Sequence, residues 1–365
     1  MRRRDSLNSA LIAAVGCSSP PEPEPVRTSL DDAADLIQAQ VDAGKLTAAT
    51  FAVNNGTTAV RRGFGQAQSE DAIFLIASIA KPMTATAVML LADAGELSLA
   101  DPVQKFIPEF TGDDRANVTI EHLLTHTSGL PDQLPNNDEL RKAHAPLSEF
   151  VAGAVKVPLK FEPGAQYSYQ SMGILLAAEI VERISKTPLR DFLREKVYGP
   201  LGMTKTVMGL APLKFEDVMP SQVEFAAPEG GAGDPTAKEW DWNSAYWRDL
   251  GSPWGGAHST SPDIERFLRS FLNPDDHVLK PETVRSMISN HTAHLETARG
   301  LGFQLGPSFA AGCSEQTYGH SGSTGTMSWC DPVRGLSCVV LTSLPARVSN
   351  DLILKPVSEL ASKFV

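Results

Sequence analysis

The chain has 365 residues, 42% of them hydrophobic and 21% charged, which is enough apolar material for one large domain or two small ones and excludes disorder as a whole. A net charge of −11 argues against a non-specific nucleic-acid binder, which needs a basic stripe to displace counterions from phosphates. Four cysteines, Cys17, Cys313, Cys330 and Cys338, are too few for a disulfide scaffold, and none of their spacings is a CxxC zinc or redox motif, so the last three are expected to be free and structural.

The N-terminus has the order of a bacterial export peptide. Arg2, Arg3 and Arg4 precede a short apolar run over 10–16 that ends at Cys17, and a Pro/Glu repeat follows. Ala14-Val15-Gly16-Cys17 resembles a lipobox and Arg3-Arg4-Asp5-Ser6-Leu7 a twin-arginine signal. The expected organisation is therefore an export signal over 1–17 with possible membrane attachment through a lipidated Cys17, a linker over 18–27 and a single catalytic domain over 28–365. The protein is expected to be exported, either periplasmic or membrane-anchored. No later segment reaches the ~20 apolar residues of a membrane helix.

Along the domain, apolar spacing predicts a helix over 30–41 and a hairpin of strands over 48–53 and 60–65, joined at Asn54-Asn55-Gly56. The strongest helical pattern runs over 78–95, with Met83, Ala87, Leu90 and Leu91 on one face and Gly95 ending it. From 97 to about 250 the chain reads as helices between long Pro/Gly-containing loops, including a clear helix over 172–184. Helices over 262–272 and 281–289 follow, then strands over 302–305, 325–330 and 336–341, and a closing helix over 348–364. Strands near both ends with helices between them predict an α/β (α+β) fold: one antiparallel sheet built from both termini, flanked by helices, with a mostly helical insertion.

Ser78-Ile79-Ala80-Lys81 opens the strongest helix and puts Lys81 one turn beyond Ser78 on the same face. A serine hydroxyl is a weak nucleophile until a neighbouring base takes its proton, and a desolvated lysine can serve. An SxxK in isolation is more often a capping serine and a solvated lysine. Here an apolar, strand-like run over 73–77 delivers the serine to a buried helix instead.

The segment Phe74-Leu75-Ile76-Ala77-Ser78-Ile79-Ala80-Lys81-Pro82-Met83-Thr84-Ala85 resembles the nucleophile segment of the serine β-lactamase and penicillin-binding protein superfamily, in its class C, carboxypeptidase and esterase branch. Leu123-Leu124-Thr125-His126-Thr127-Ser128-Gly129-Leu130-Pro131, Pro200-Leu201-Gly202-Met203, Gly255-Gly256-Ala257-His258-Ser259-Thr260 with Asp263, and Gly300-Leu301-Gly302-Phe303 are similar to further family stretches, in the family's order. The resemblance implies a β-lactamase/transpeptidase-like fold and an acyl-enzyme reaction without a cofactor. It also implies a small ester, amide or β-lactam-like substrate.

The resemblance carries roles to particular residues. Tyr169, in Tyr169-Gln170-Ser171, matches the family's Tyr-x-Asn tyrosine, whose phenolate or neutral oxygen shares protons with Lys81; Tyr167 is a nearby rival. Ser171 stands where asparagine is typical and cannot offer an amide donor and a carbonyl acceptor at that reach, which leans the expectation toward esters. His320-Ser321-Gly322 resembles the family's Lys-Thr-Gly triplet in a His-x-Gly form. His320 is expected to hydrogen-bond Tyr169 or to orient the acid/base network, with its charge near balance, Gly322 to let substrate lie close along the strand with Ser321 beside it, and the Ser78 and Ser323 amides to form an oxyanion hole.

Four tryptophans fall over 240–254. Plain packing is the simpler reading of these, with Trp254 beside Gly255-Gly256 the expected cleft member. Gly319-His320-Ser321-Gly322-Ser323 nearly spells the nucleophile elbow of α/β-hydrolases, but no histidine follows His320, so that reading fails. The histidines make no HExxH or ligand cluster, and no metal site is expected; His291 and His294 read as solvated and His122 and His126 as sharing a helical face. Carboxylesterase activity leads, β-lactamase or D-Ala-D-Ala carboxypeptidase activity comes next, and a non-catalytic binding protein that keeps the fold is the alternative from another class.

Overall fold

The computed structural model describes residues 28–364. The expected export signal, lipobox and linker lie outside the described residues. The domain opens on helix α1 (Ser29–Asp42), where a Thr28/Asp31 capping box satisfies the first amides. Strands β1 (Ala48–Asn54) and β2 (Ala59–Gly65) follow as the predicted hairpin.

Next come the short strand β3 (Phe74–Leu75), a single 3₁₀ turn (Ala77–Ile79) and helix α2 (Ala80–Asp93). Ser78 therefore sits in a turn that leads into α2 and not inside the α-helix predicted over 78–95, and only two residues of the 73–77 run form a strand. After the insertion, with its strands β4 (Val207–Met208) and β5 (Ala257–Ser259), the chain returns as β6 (Gln304–Leu305), β7 (Tyr318–Gly322), β8 (Thr326–Asp331) and β9 (Leu336–Thr342).

The main sheet is antiparallel in the order β2-β1-β9-β8-β7-β6, so the two chain termini meet at the β1–β9 pair, with Phe51 opposite Val340. Alternation along the strands divides the core. Phe51, Val53, Cys338 and Val340 face α1 and the C-terminal helix Lys355–Ala361 together with Trp329. Ala48, Ala52, Val339 and Leu341 face the other way, onto α2 and the helix Ser261–Ser270. A sheet covered on both faces has no polar side, which is why β9 is buried along its whole length.

A second small sheet, β3-β5-β4, was not predicted; its strands are two or three residues long, too short to show a period of two. Cys313, Cys330 and Cys338 are free thiols, as expected.

Candidate active site

The turn that carries Ser78 is held from two sides. On one, the Ile76 amide donates to Ala257 O of β5 at 3.0 Å. On the other, the β7–β8 hairpin reaches across with two hydroxyls: Thr324 Oγ1 donates to Leu75 O at 2.7 Å and Thr326 Oγ1 to Ile76 O at 3.0 Å. Between these clamps Ala77 adopts the left-handed conformation, with φ of 46°. A non-glycine residue pays backbone strain for that shape, and it persists here because the surroundings fix it. The turn aims Ser78 out of the fold at the start of α2, where the first amides have no intrahelical acceptor and the helix dipole is positive.

Lys81 follows one turn later, completely buried, and its Nζ lies 2.9 Å from Ser78 Oγ and 2.9 Å from Trp254 O. Burial draws its pKa down to about 7, Asp132 opposes that shift, and the Arg299 guanidinium reinforces it. Tyr169 completes the group. It lines both cavities beside Ser78, its ring lies 4.8 Å below Lys81 Nζ, and burial holds its pKa well above the ordinary phenol value, with Ser78 drawing it back slightly. At neutral pH Tyr169 is a phenol, while the free-amine form of Lys81 comes within reach; of the two states left open for the tyrosine oxygen, the neutral one prevails.

His320 departs from expectation in two respects. Its Nδ1 lies 2.7 Å from Ser321 O, a contact that requires the proton on Nδ1, and no described side chain partners its buried Nε2. Its ring meets that of Tyr169 at a centroid distance of 6.0 Å instead of hydrogen-bonding it. Burial, with Arg299 and Lys81 nearby, keeps its pKa well below the usual imidazole value, so the ring is neutral and not near charge balance.

Gly322 also has a different reason for being glycine. A Cβ there would meet Thr326 Oγ1 at 2.3 Å and Ile76 O at 2.5 Å, so the close approach is made by the protein's own nucleophile turn and not by substrate. Ser171 directs its hydroxyl to Asp132 Oδ1 at 2.6 Å. His126 does not share a helical face with His122, because helix α3 (Ile120–Leu124) stops short of it. It is buried with φ of 62°, and its ring lies tilted against that of Tyr169 at a centroid distance of 4.7 Å. His291, expected to be solvated, is half-buried and hydrogen-bonded to Glu121 at 2.7 Å.

Two cavities meet at Ser78, and Ser78, Tyr169 and Ser323 line both. The first, of about 140 Å³, is walled by Trp242, Trp247 and Trp254, with Asp132, Ser171 and Arg141 on its rim. Trp254 is thus the cleft member expected, while Trp240 is buried and packs against Arg141. The second, of about 590 Å³, is lined by Arg299, Tyr167, His320, Ser321, Gly322 and Asn350.

Sequence reasoning missed Asp132, Arg299 and Thr324. Arg299 is buried, and its Nε and one Nη have no hydrogen-bond partner among the described residues. Two unsatisfied guanidinium donors beside an open cavity are poised for an acceptor that arrives with a ligand.

A serine at a strained turn ahead of a helix, a buried amine within hydrogen-bond reach and a neutral phenol against both define a serine hydrolase of the SxxK kind. The chain belongs to the Beta-lactamase family, whose model matches residues 33–360. It is 27% identical over 354 residues to a protein of Escherichia coli (strain K12) provisionally named D-alanyl-D-alanine carboxypeptidase, covering 85% of this chain and 81% of the relative.

In fold it is similar to EstCE1, described as a hydrolase with promiscuous acyltransferase activity, with a TM-score of 0.74, 19% identity and coverage of 92% of this chain and 98% of the other. It is similar in fold, too, to a penicillin-binding protein homologue from Caulobacter crescentus, with a TM-score of 0.72, 21% identity and coverage of 91% and 96%.

Proposed function

We propose that the chain hydrolyses small carboxylic esters through an acyl-enzyme on Ser78. The observation that carries this reading is the 2.9 Å contact between Ser78 Oγ and a fully buried Lys81 whose pKa falls to about 7. In its neutral form Lys81 accepts the Ser78 proton as Oγ bonds to the substrate carbonyl carbon. The developing oxyanion is held by the amides of Ser78 and Ser323. Collapse breaks the bond to the leaving oxygen, which takes a proton from the Tyr169 hydroxyl, and Lys81 returns its proton to Tyr169. Water then adds to the ester carbon by the same route in reverse and releases the acid and Ser78.

The tryptophan-walled cavity takes the acyl group and the larger one the leaving group, next to the phenol that protonates it. Esters are favoured over amides because Ser171, already bonded to Asp132, supplies no amide clamp for a peptide-like acyl chain. A fluorophosphonate probe should add once to the wild type and not to Ser78→Ala; labelling of both, or of neither, overturns the reading.

One observation favours a second reading. The unsatisfied Arg299 guanidinium suits a leaving group that carries a carboxylate, as in a D-alanyl-D-alanine carboxypeptidase or a β-lactamase, and the E. coli relative carries the first of these names. Release of D-alanine from a D-Ala-D-Ala peptide at a rate above that for short neutral esters would put this reading first.

We further propose that the protein is exported and anchored through Cys17. Incorporation of labelled palmitate into the full-length chain in a bacterial host, lost in Cys17→Ala, is the expected result.

A further inference from the structure

Asp132 is the one carboxylate in the tryptophan-walled cavity with a hydrogen bond to the nucleophile side of the site, and among the described residues its only partner is the neutral Ser171 hydroxyl. No ion pair compensates it. The cation on the same rim, Arg141, forms no ion pair with Asp132: its guanidinium donates to Glu229 O and, at 3.0 Å, to Trp240 O, it lies 4.1 Å from the Trp247 ring centroid and 5.0 Å from that of Trp240, and its buried Nε has no partner among the described residues. Lys81, the other nearby cation, donates to Ser78 and to Trp254 O. Asp132 is half-buried at the edge of this small, indole-walled cavity, where a carboxylate without a counter-charge offers a ready partner to a cation that a ligand brings. Indole faces themselves attract cations.

Resting on the esterase reading above, we propose that Asp132 selects acyl groups bearing an ammonium, so that the preferred substrates are esters of amino acids with a free amino group. The substituent on the carbon next to the reacting carbonyl enters the cavity of Trp242, Trp247 and Trp254, and its ammonium donates to the Asp132 carboxylate while Ser171 holds the other oxygen in place. The same hydrogen bond that removes the amide clamp thus installs its opposite, an acceptor with a full negative charge. An N-acylated substrate, with no charge to offer, loses this partner.

The test compares alanine methyl ester, as each enantiomer, with methyl isobutyrate, in which a methyl group replaces the ammonium at nearly constant shape. In the wild type at pH 7 the ratio of kcat/KM should favour one alanine ester by at least about tenfold, and in Asp132→Asn that ratio should fall to near unity. Because turnover can be limited by other steps, inhibition by 1-aminoethylboronic acid and by isopropylboronic acid is measured in parallel; the aminoboronate should bind about tenfold more tightly in the wild type, with the advantage lost in Asp132→Asn and reduced by salt.

Equal ratios in wild type and variant, or a wild-type preference for the uncharged member of both pairs, overturn the inference. Ser78-dependent cleavage of methyl isobutyrate with no preference for ammonium sinks this inference alone. Absence of any Ser78-dependent cleavage, boronate inhibition or fluorophosphonate adduct sinks the esterase reading with it.

Discussion

The two cavities that share Ser78 differ in size and in what walls them. One is small and walled by three indoles, with Asp132 and Arg141 on its rim; the other is more than four times larger by volume and holds the buried Arg299 guanidinium, two of whose donors lack partners among the described residues. The asymmetry follows from where the walls come from. Trp242, Trp247 and Trp254 belong to the insertion, packed with Leu75 and Ala226 in a small core of their own. His320, Ser321 and Gly322 belong to β7 of the main sheet. A hydrolase that must grip an acyl group and let a leaving group go has reason to separate these tasks, and the reacting groups sit at the partition because they alone serve both.

The largest expected effect lies at the partition and should not distinguish the two cavities. Lys81→Met keeps the apolar stem and removes the amine that takes the Ser78 proton. It should lower kcat by about 10³-fold, within the range for general-base catalysis, equally for substrates that vary in acyl group and in leaving group. Circular dichroism and thermal melting would show the fold retained; a loss that depended on either half of the substrate would place Lys81 in binding instead.

The pH profile follows from the same residue. The Lys81 pKa lies near 7 instead of the ordinary 10.5, so below pH 7 the side chain is mostly charged and cannot accept a proton, and above it the free amine dominates. The value of kcat/KM should rise about tenfold per pH unit up to near 7 and then level. His320 and Tyr169 add no inflection between pH 7 and 9, because burial keeps the first neutral below that window and the second neutral above it. Stability has its own signature. Between about 7 and 10.5 the unfolded chain binds the Lys81 proton and the folded chain does not, so this residue favours the folded state increasingly as pH rises through that window. In Lys81→Met both the acid limb and that part of the stability gradient should disappear.

The next effect should separate the cavities. Arg299→Gln removes the cation from the leaving-group side, and kcat/KM for esters whose alcohol carries a carboxylate should fall on the order of 100-fold, from the loss of charge-assisted hydrogen bonds. Neutral esters of the same acid should be affected far less. The comparison has to be made at pH 8.5 or above, because losing Arg299 also removes a cation that depresses the Lys81 pKa, so the acid limb shifts upward in the variant. A uniform loss across both series at high pH would mean that Arg299 acts on the reacting groups alone.

How much of this was legible in the chain depended on how far apart its parts lie. Ser78 and Lys81 are three residues apart in one turn, so a periodic pattern places them together. Most of the main sheet and its flanking helices were legible for the same reason, since strands of six or seven residues and long helices carry a clear period, whereas β7, with two glycines in five residues, was not read as a strand. Asp132 acquires its meaning from Ser171, 39 positions away, and Thr324 from Leu75, 249 positions away; no local pattern encodes such a pairing. His320 was singled out by its motif, although its strand β7 was not among those predicted, and its charge state depends on burial by residues from several elements, which a motif does not report. Gly322 was singled out, but which backbone approaches it is a tertiary fact.

The smallest expected effect tests the partition itself. Thr324 lines the acyl cavity, and its hydroxyl holds Leu75 O at 2.7 Å, one of the two hydroxyl clamps on the strained turn before Ser78. Thr324→Val is nearly isosteric and leaves the Leu75 carbonyl unsatisfied in a buried place, at a cost of about 1–2 kcal/mol of stability, readable by denaturant titration. If the clamp serves to hold the Ala77 turn, the variant should lose about fivefold in kcat with little change in KM, to the same extent for every acyl and leaving group. Loss confined to bulky acyl groups would show that Thr324 acts as a wall of the tryptophan cavity, and the turn would then owe its shape to Thr326 and the β5 contact.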